Sequence, residues 1–275
     1  MSKETSAEVV GFAGVDPVFA RVRVEAEEIL KKEPEFAGFI YSTVLNHDTL
    51  ASAVAHRIAD RLDHQTIPGD LVEQAFRDLF ARDPDIAKSI EADIIAIADR
   101  DPACHRLIEP LLYFKGFQAI QTHRLAHSLW NAGRRDFALY LQSRSSSVFQ
   151  CDIHPAARIG KGIFLDHATG LVVGSTAEID DDVSILHSVT LGGTGKDQGD
   201  RHPKIRYGVL IGAGAKIIGN IEVGHCARVA AGSVVLQPVP HNKTVAGVPA
   251  RVVGEAGCAE PARSMDQLIA EKLES

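Results

Sequence analysis

No run of eighteen apolar residues occurs in this 275-residue chain, so nothing in it is built to cross a bilayer as a helix. Its start, MSKETSAEVVGFAG, has neither the basic opening nor the apolar core of a secretory signal, and a cytoplasmic protein without membrane contact is the expectation. Cysteine is scarce. The four present, Cys104, Cys151, Cys226 and Cys258, stand far apart with no CxxC pair, which argues against a zinc ribbon and a disulfide scaffold and predicts reduced thiols. Excess basic charge is missing too. A formal net charge of −7 disfavours the positive surface that nucleic acid requires, although a local basic patch can still meet a phosphorylated small molecule.

The rest of the composition, 45% hydrophobic and 24% charged, is that of a soluble globular protein. Its length suits two regions, and the hydrophobic period changes between them. From Pro17 to about Gln142 apolar residues recur at steps of three and four, as Val18, Val22, Ala26 and Ile29 do in PVFARVRVEAEEILKKEP. Pro17 suits a first helical turn and Pro34 ends the run. LASAVAHRIADRL, DLVEQAFRDLFARD, DIAKSIEADIIAIADRD and GFQAIQTHRLAHSLWNAGRRDFALYLQ repeat the pattern, with turns at IPGD, RDPD and RDPA. Residues 1–148 are expected to form a helical domain.

Beyond SRSSSVFQ the period is six. Ile153, Ile159, Leu165, Leu171, Ala177, Val183 and Val189 are evenly spaced, and the series resumes at Ile205, Ile211, Ile217, Val223, Val229 and Val235. A sustained short period marks a parallel β-helix, in which the repeated aliphatics stack into an interior column. Gly160, Gly212 and Gly224 follow such aliphatics, where a tight corner favours a residue without a Cβ. Residues 149–254 are expected to form this solenoid and 255–275 a tail. TLGGTGKDQGDRHPK breaks the rhythm and is expected to leave one corner as a loop, a common place for function. Its GGTGKD is not a phosphate-binding P-loop, because the lysine precedes aspartate and the upstream glycine spacing is absent.

CDIHPAARIGKGIFLDHATGLVVG, VSILHSVTLGGTGKDQGDRHPKIR, VLIGAGAKIIGNIEVG and GSVVLQPVP…AGVPARVVG closely resemble the bacterial serine acetyltransferases, members of the hexapeptide-repeat acyltransferases. The resemblance runs from about Asp101 to Gly254, through EPLLYFKGFQAIQTHRLAHSLW, and is most specific from Asp152 onward. Before that, only helical character matches. It implies an α+β fold, an α-helical domain followed by a left-handed parallel β-helix with an extruded loop. It further implies assembly into trimers or dimers of trimers, and acetyl transfer from acetyl-CoA to the hydroxyl of L-serine on the way to cysteine, with no metal. The hand of the solenoid rests on the resemblance alone, since crossover rules favour the opposite one.

The same resemblance implies the roles of particular residues. His167 in LDHATG matches a catalytic histidine and Asp152 the carboxylate that orients it; His202 is counted with them. Asp101 and Asp166 match carboxylates that hold the substrate ammonium, while Arg201 and His202 meet its carboxylate. For coenzyme A the implied contacts are the small corner residues Gly193, Ala213 and Ala231, with Lys204, and less strongly Lys216 and Lys243, toward the phosphates. A serine hydroxyl is a poor nucleophile at neutral pH, so a histidine base has a chemical reason to be there.

Elsewhere a lone histidine is more often structural, and His64, His123, His187, His225 and His241 are read that way. Cys151 beside Asp152 is conceivable as an acyl-accepting nucleophile, but valine is common there in the family, which favours direct transfer. The family tail ends in an isoleucine that docks into O-acetylserine sulfhydrylase. This chain ends AEKLES at Ser275, which puts that partner in doubt. The rival use of the solenoid, a γ-type carbonic anhydrase, needs clustered histidines with an HxxxxH spacing; none occurs between His154 and His225.

Overall fold

The computed structural model describes residues 16–195, 198–257 and 259–267. The MSKETSAEVVGFAG start, Cys258 and the terminal AEKLES lie outside them. Six longer helices form where the period is helical: Pro17–Lys32, Leu50–Leu62, Gly69–Arg82, Asp85–Arg100, Lys115–Asn131 and Arg135–Phe149. Asp16 caps the first, its carboxylate accepting from the amides of Val18 at 2.9 Å and Phe19 at 3.0 Å, and Thr49 with Ser52 forms a capping box on the second. Lys115–Asn131 is the central helix. Its residues from Gly116 to Ala126 are all buried, because other helices surround it and the solenoid closes its remaining side.

From Cys151 the chain winds as a parallel β-solenoid of three sheets. Three interior columns follow from the pairing: Ile153, Val173, Leu191, Ile217 and Val235; Ile159, Ile179, Ile205 and Val223; Leu165, Ile185, Ile211, Val229 and Val245. Each fully buried aliphatic of this kind contributes about 1.5–3 kcal/mol.

This register corrects the even six-residue series. A regular coil takes eighteen residues, as from Leu210 to Arg228. The first takes twenty, Cys151 pairing with Leu171, and the coil carrying the loop takes twenty-six, Ser184 pairing with Leu210. Leu171, Ala177, Val183 and Val189 are buried but stand two residues before the column that Ile153, Ile159 and Leu165 open. The two extra residues lie between Leu165 and Leu171, in DHATG. The glycines Gly160, Gly212 and Gly224 stand where no Cβ fits, as expected, and the next coil is the reason. A Cβ there would meet the backbone nitrogen of the next coil, at Asp181, Ala231 and His241, at 2.7, 2.5 and 2.6 Å.

The three outer faces differ. Phe164, Ser184, Leu210, Arg228 and Thr244 on one are buried, partly under the returning segment: the Ser184 hydroxyl donates to the Ala262 carbonyl at 2.7 Å and the Arg228 guanidinium to the Asp266 carbonyl at 2.9 Å. The second carries Arg158, Glu178, Lys204 and Glu222 in register, charges paired from coil to coil. The third carries Asp152, Val172, Thr190, Lys216 and Val234.

His123 joins the central helix to the first coil, its Nε2 meeting the Ala157 carbonyl at 3.2 Å. Burial is the main reason its pKa is pushed down to about 3. The unfolded chain takes up a proton near pH 6.5, so this histidine's contribution to stability is whole above pH 6.5 and is lost as pH falls toward 3, by up to about 1.4 kcal/mol per unit. Urea midpoints of the wild type are expected to fall more steeply below pH 6.5 than those of His123→Gln; parallel curves would refute the assignment.

Candidate active site

The two-residue insertion presents His167. Strand Phe164–Leu165 ends at Asp166, whose amide still bonds the Ile185 carbonyl at 2.8 Å, and then His167 and Ala168 take φ of 54° and 62°. Left-handed backbone at two residues with side chains is strained. The surroundings hold it: the Ser188 amide donates to the Thr169 carbonyl at 2.7 Å, the Gly170 amide to the Gln150 carbonyl at 2.9 Å, and the Lys115 ammonium to the Thr169 hydroxyl at 2.5 Å.

The His167 side chain is consequently 76% exposed, with its Nε2 3.6 Å from Asp166 Oδ1. A pocket of about 370 Å³ opens beside them, lined also by Asp101, Tyr113, Phe114 and Lys115. Burial raises the Asp166 carboxyl above its ordinary range; the neighbouring His167 opposes the shift and Asp101 adds to it. Asp101 stands just past helix Asp85–Arg100 and also closes a turn, accepting the Ala103 amide at 2.8 Å. Along the same corner, turn after turn, come His187, Ala213 and Ala231, linked by Gly214 N–H to His187 O at 2.9 Å and Gly232 N–H to Ala213 O at 2.8 Å. Sequence separation hides this alignment.

The remaining candidates lie elsewhere on the chain. Asp152 projects from the first sheet, where its carboxylate accepts from Gln142 Nε2 at 2.7 Å. Arg201 and His202 are in the returning limb of the loop, at the corner carrying Gly174 and Thr176. Gly193 packs against Arg201. None of these lines the pocket at His167. Lys204 is engaged within its own chain, donating to the Thr176 carbonyl and Asp200 at 2.6 Å each. Lys216 donates to the Ser188 carbonyl at 2.5 Å, and Lys243 pairs with Glu255.

His202 is held in one protonation form. The Thr176 hydroxyl accepts the amides of Arg201 at 3.0 Å and His202 at 3.2 Å and lies 2.8 Å from His202 Nδ1, which also receives the Thr176 amide at 3.3 Å. A nitrogen that accepts an amide carries no proton, so the N–H of the neutral ring is at Nε2. Burial first, then Arg201 and Lys204, lowers the His202 pKa, which keeps the ring neutral. The ring fills the space a Cβ would need at Gly174, whose nearest ring atom would be 1.9 Å away. Gly174→Ala is expected to displace the ring and lower kcat/KM about 10- to 100-fold; wild-type kinetics in this variant would show the ring's place to be immaterial. Thr176, Gly174 and Gln142 escape sequence reasoning because their roles exist only once the loop and helix have returned to the coil.

Comparison with known proteins decides the family. Residues 18–122 match the family model "Serine acetyltransferase, N-terminal". The serine acetyltransferases of Salmonella typhimurium and Escherichia coli K12 are 54% and 53% identical over 250 residues, 91% of this chain and 92% of each relative. The chain belongs to the serine acetyltransferase family. It is thus an acyltransferase, and the family model takes in residues 18–100, where only helical spacing was legible. Among solved structures, serine acetyltransferase from Brucella abortus in complex with coenzyme A is 62% identical with a TM-score of 0.88, covering 89% of this chain and 98% of that one. A serine acetyltransferase in complex with cysteine superposes with a TM-score of 0.90 at 50% identity, covering 92% and 98%.

Proposed function

We propose that this protein transfers acetyl directly from acetyl-CoA to the hydroxyl of L-serine, with His167 as the general base. The observation that carries the reading is the insertion that holds an exposed imidazole beside Asp166 and Asp101, at the head of the corner that continues to Ala213 and Ala231. His167 takes the hydroxyl proton, the serine oxygen attacks the thioester carbonyl carbon, and the C–S bond breaks as the proton passes to the departing thiolate. Asp152, which does not line the His167 pocket of its own chain, is assigned by this reading to the imidazole of a neighbouring subunit, which it orients and whose charged form it stabilises. Asp101 and Asp166 receive the serine ammonium; Arg201 with His202 receives its carboxylate. The pantetheine arm follows Ala213 and Ala231, and Gly193, which stands on a different corner of its own chain, is assigned to it from the neighbouring subunit. The coenzyme A complex of the Brucella abortus relative supports this donor.

A covalent acyl-cysteine route has no support here. Cys151 is buried in the coil, and burial pushes its thiol up to about 12, so it supplies no thiolate.

Because the His167 pocket holds neither Arg201 nor His202, we place the complete site between neighbouring solenoids of a homo-oligomer. We further propose that cysteine inhibits by competing at the serine subsite; the relative solved in complex with cysteine supports binding of that amino acid. The test is release of CoA thiol from acetyl-CoA with L-serine, homoserine or amines as acceptor. Serine is expected to be preferred; equal rates with homoserine or an amine would overturn the acceptor. Mixing inactive His167→Ala and His202→Ala proteins, with subunit exchange allowed, is expected to restore activity. No recovery would place the whole site within one chain.

A further inference from the structure

The strand that carries Asp152 begins directly after the last helix. That helix ends at Phe149, and Gln150 takes φ of 61° and ψ of 33° while its amide still bonds the Ser146 carbonyl at 3.1 Å. This one left-handed residue turns the chain, so that strand Cys151–Ile153 lies against the helix it has just left. Cys151 and Ile153 are buried in the coil, and Asp152 between them faces outward. Gln142, about two turns before the helix end, reaches it there: Nε2 donates to Asp152 Oδ1 at 2.7 Å. A carboxylate only accepts, so the NH₂ end of Gln142 must be the end that faces it. Among the described residues no other donor reaches this carboxylate, and Oδ2 is left for an imidazole. The carboxylate is planar, so holding one oxygen sets the direction of the other.

We propose that Gln142 is a positioning residue for acetyl transfer, its carboxamide fixing Asp152 so that Oδ2 meets the imidazole of the neighbouring subunit. The proposal rests on the reading above in which Asp152 orients that imidazole. Gln142 touches no substrate and exchanges no proton. It acts entirely through Asp152, so its effect on the rate must vanish where Asp152 is absent. A glutamine that merely packs the helix against the first coil would matter equally with and without that carboxylate.

The test is a double-mutant cycle on kcat in the full-length protein, with Gln142→Met, Asp152→Ala and the two combined, alongside KM for serine and calorimetric Kd for CoA. Methionine keeps the length and helix propensity of glutamine but has no donor. Gln142→Met is expected to lower kcat about tenfold, the scale of a misplaced catalytic group, with KM for serine and Kd for CoA within about threefold of wild type. In the Asp152→Ala background the same substitution is expected to change kcat less than about twofold. Three outcomes overturn the proposal: a Gln142→Met kcat within about threefold of wild type, an equal loss in both backgrounds, or a loss of CoA affinity that accounts for the lost rate. Asp152→Ala with wild-type kcat would overturn the role of Asp152 in the acetyl-transfer reading and this proposal with it, whereas a slow Asp152→Ala beside an unaffected Gln142→Met overturns Gln142 alone.

Discussion

Replacing His167 with alanine is expected to lower serine-dependent release of CoA thiol by at least about a hundredfold, the lower end of what a positioned general base contributes. The loss belongs in kcat, because the base acts on a proton in flight, while the ammonium contacts assigned to Asp101 and Asp166 and the coenzyme contacts along Ala213 and Ala231 are retained. KM for serine and Kd for CoA are accordingly expected to change little. The fold is not at stake: the side chain is exposed, and its strained turn is held by hydrogen bonds from Ser188, Gly170 and Lys115 rather than by the ring. A variant that kept kcat within about threefold of wild type would remove His167 from the chemistry, and the reading of the insertion with it.

That insertion also marks where the sequence stops being legible. The helices and the solenoid follow from periodicity, yet the slip of two residues at DHATG leaves no gap in the pattern. Each rung buries residues at two positions, as Cys151 and Ile153, Leu171 and Val173, and Val189 and Leu191 do. A two-residue slip therefore exchanges one apolar column for the other, and the six-residue series runs on undisturbed. What the slip does change is the corner, and the corner is where His167 stands. The loop was legible for the opposite reason: it adds eight polar and glycine-rich residues that no rung can bury. The distribution of the site was not legible. Asp152 and His167 are fifteen residues apart in a motif that resemblance treats as one unit, yet Asp152 meets Gln142 of the preceding helix. His187, Ala213 and Ala231 share a corner only because coils of twenty-six and eighteen residues bring them into line.

The second large effect concerns Asp93, which anchors the helical half to the solenoid. Its side chain, 1% exposed, accepts from Arg124 Nη2 at 2.6 Å and Gln121 Nε2 at 2.8 Å on the central helix, and from the Ile163 amide of the first coil at 2.9 Å. Arg124 also donates to the Gly160 carbonyl at 2.8 Å. One carboxylate thus ties its own helix, Asp85–Arg100, to the central helix and to a strand end. Asp93→Ala leaves the buried Arg124 cation without its counter-charge and the Ile163 amide without its acceptor, and the expected cost is about 3–5 kcal/mol, a large share of the 5–15 kcal/mol that holds a typical domain. Much of that cost comes from the orphaned charge rather than the lost pair. Asp93→Ala combined with Arg124→Met is therefore expected to recover part of it, which a double-mutant cycle on urea midpoints measures. A loss below about 1 kcal/mol in the single variant, or strict additivity in the double, would show that the pair does not bind the halves. Because Asp101 lies at the end of the same helix and lines the His167 pocket, loosening this anchor is also expected to raise KM for serine, a kinetic readout that an isolated packing defect would not give.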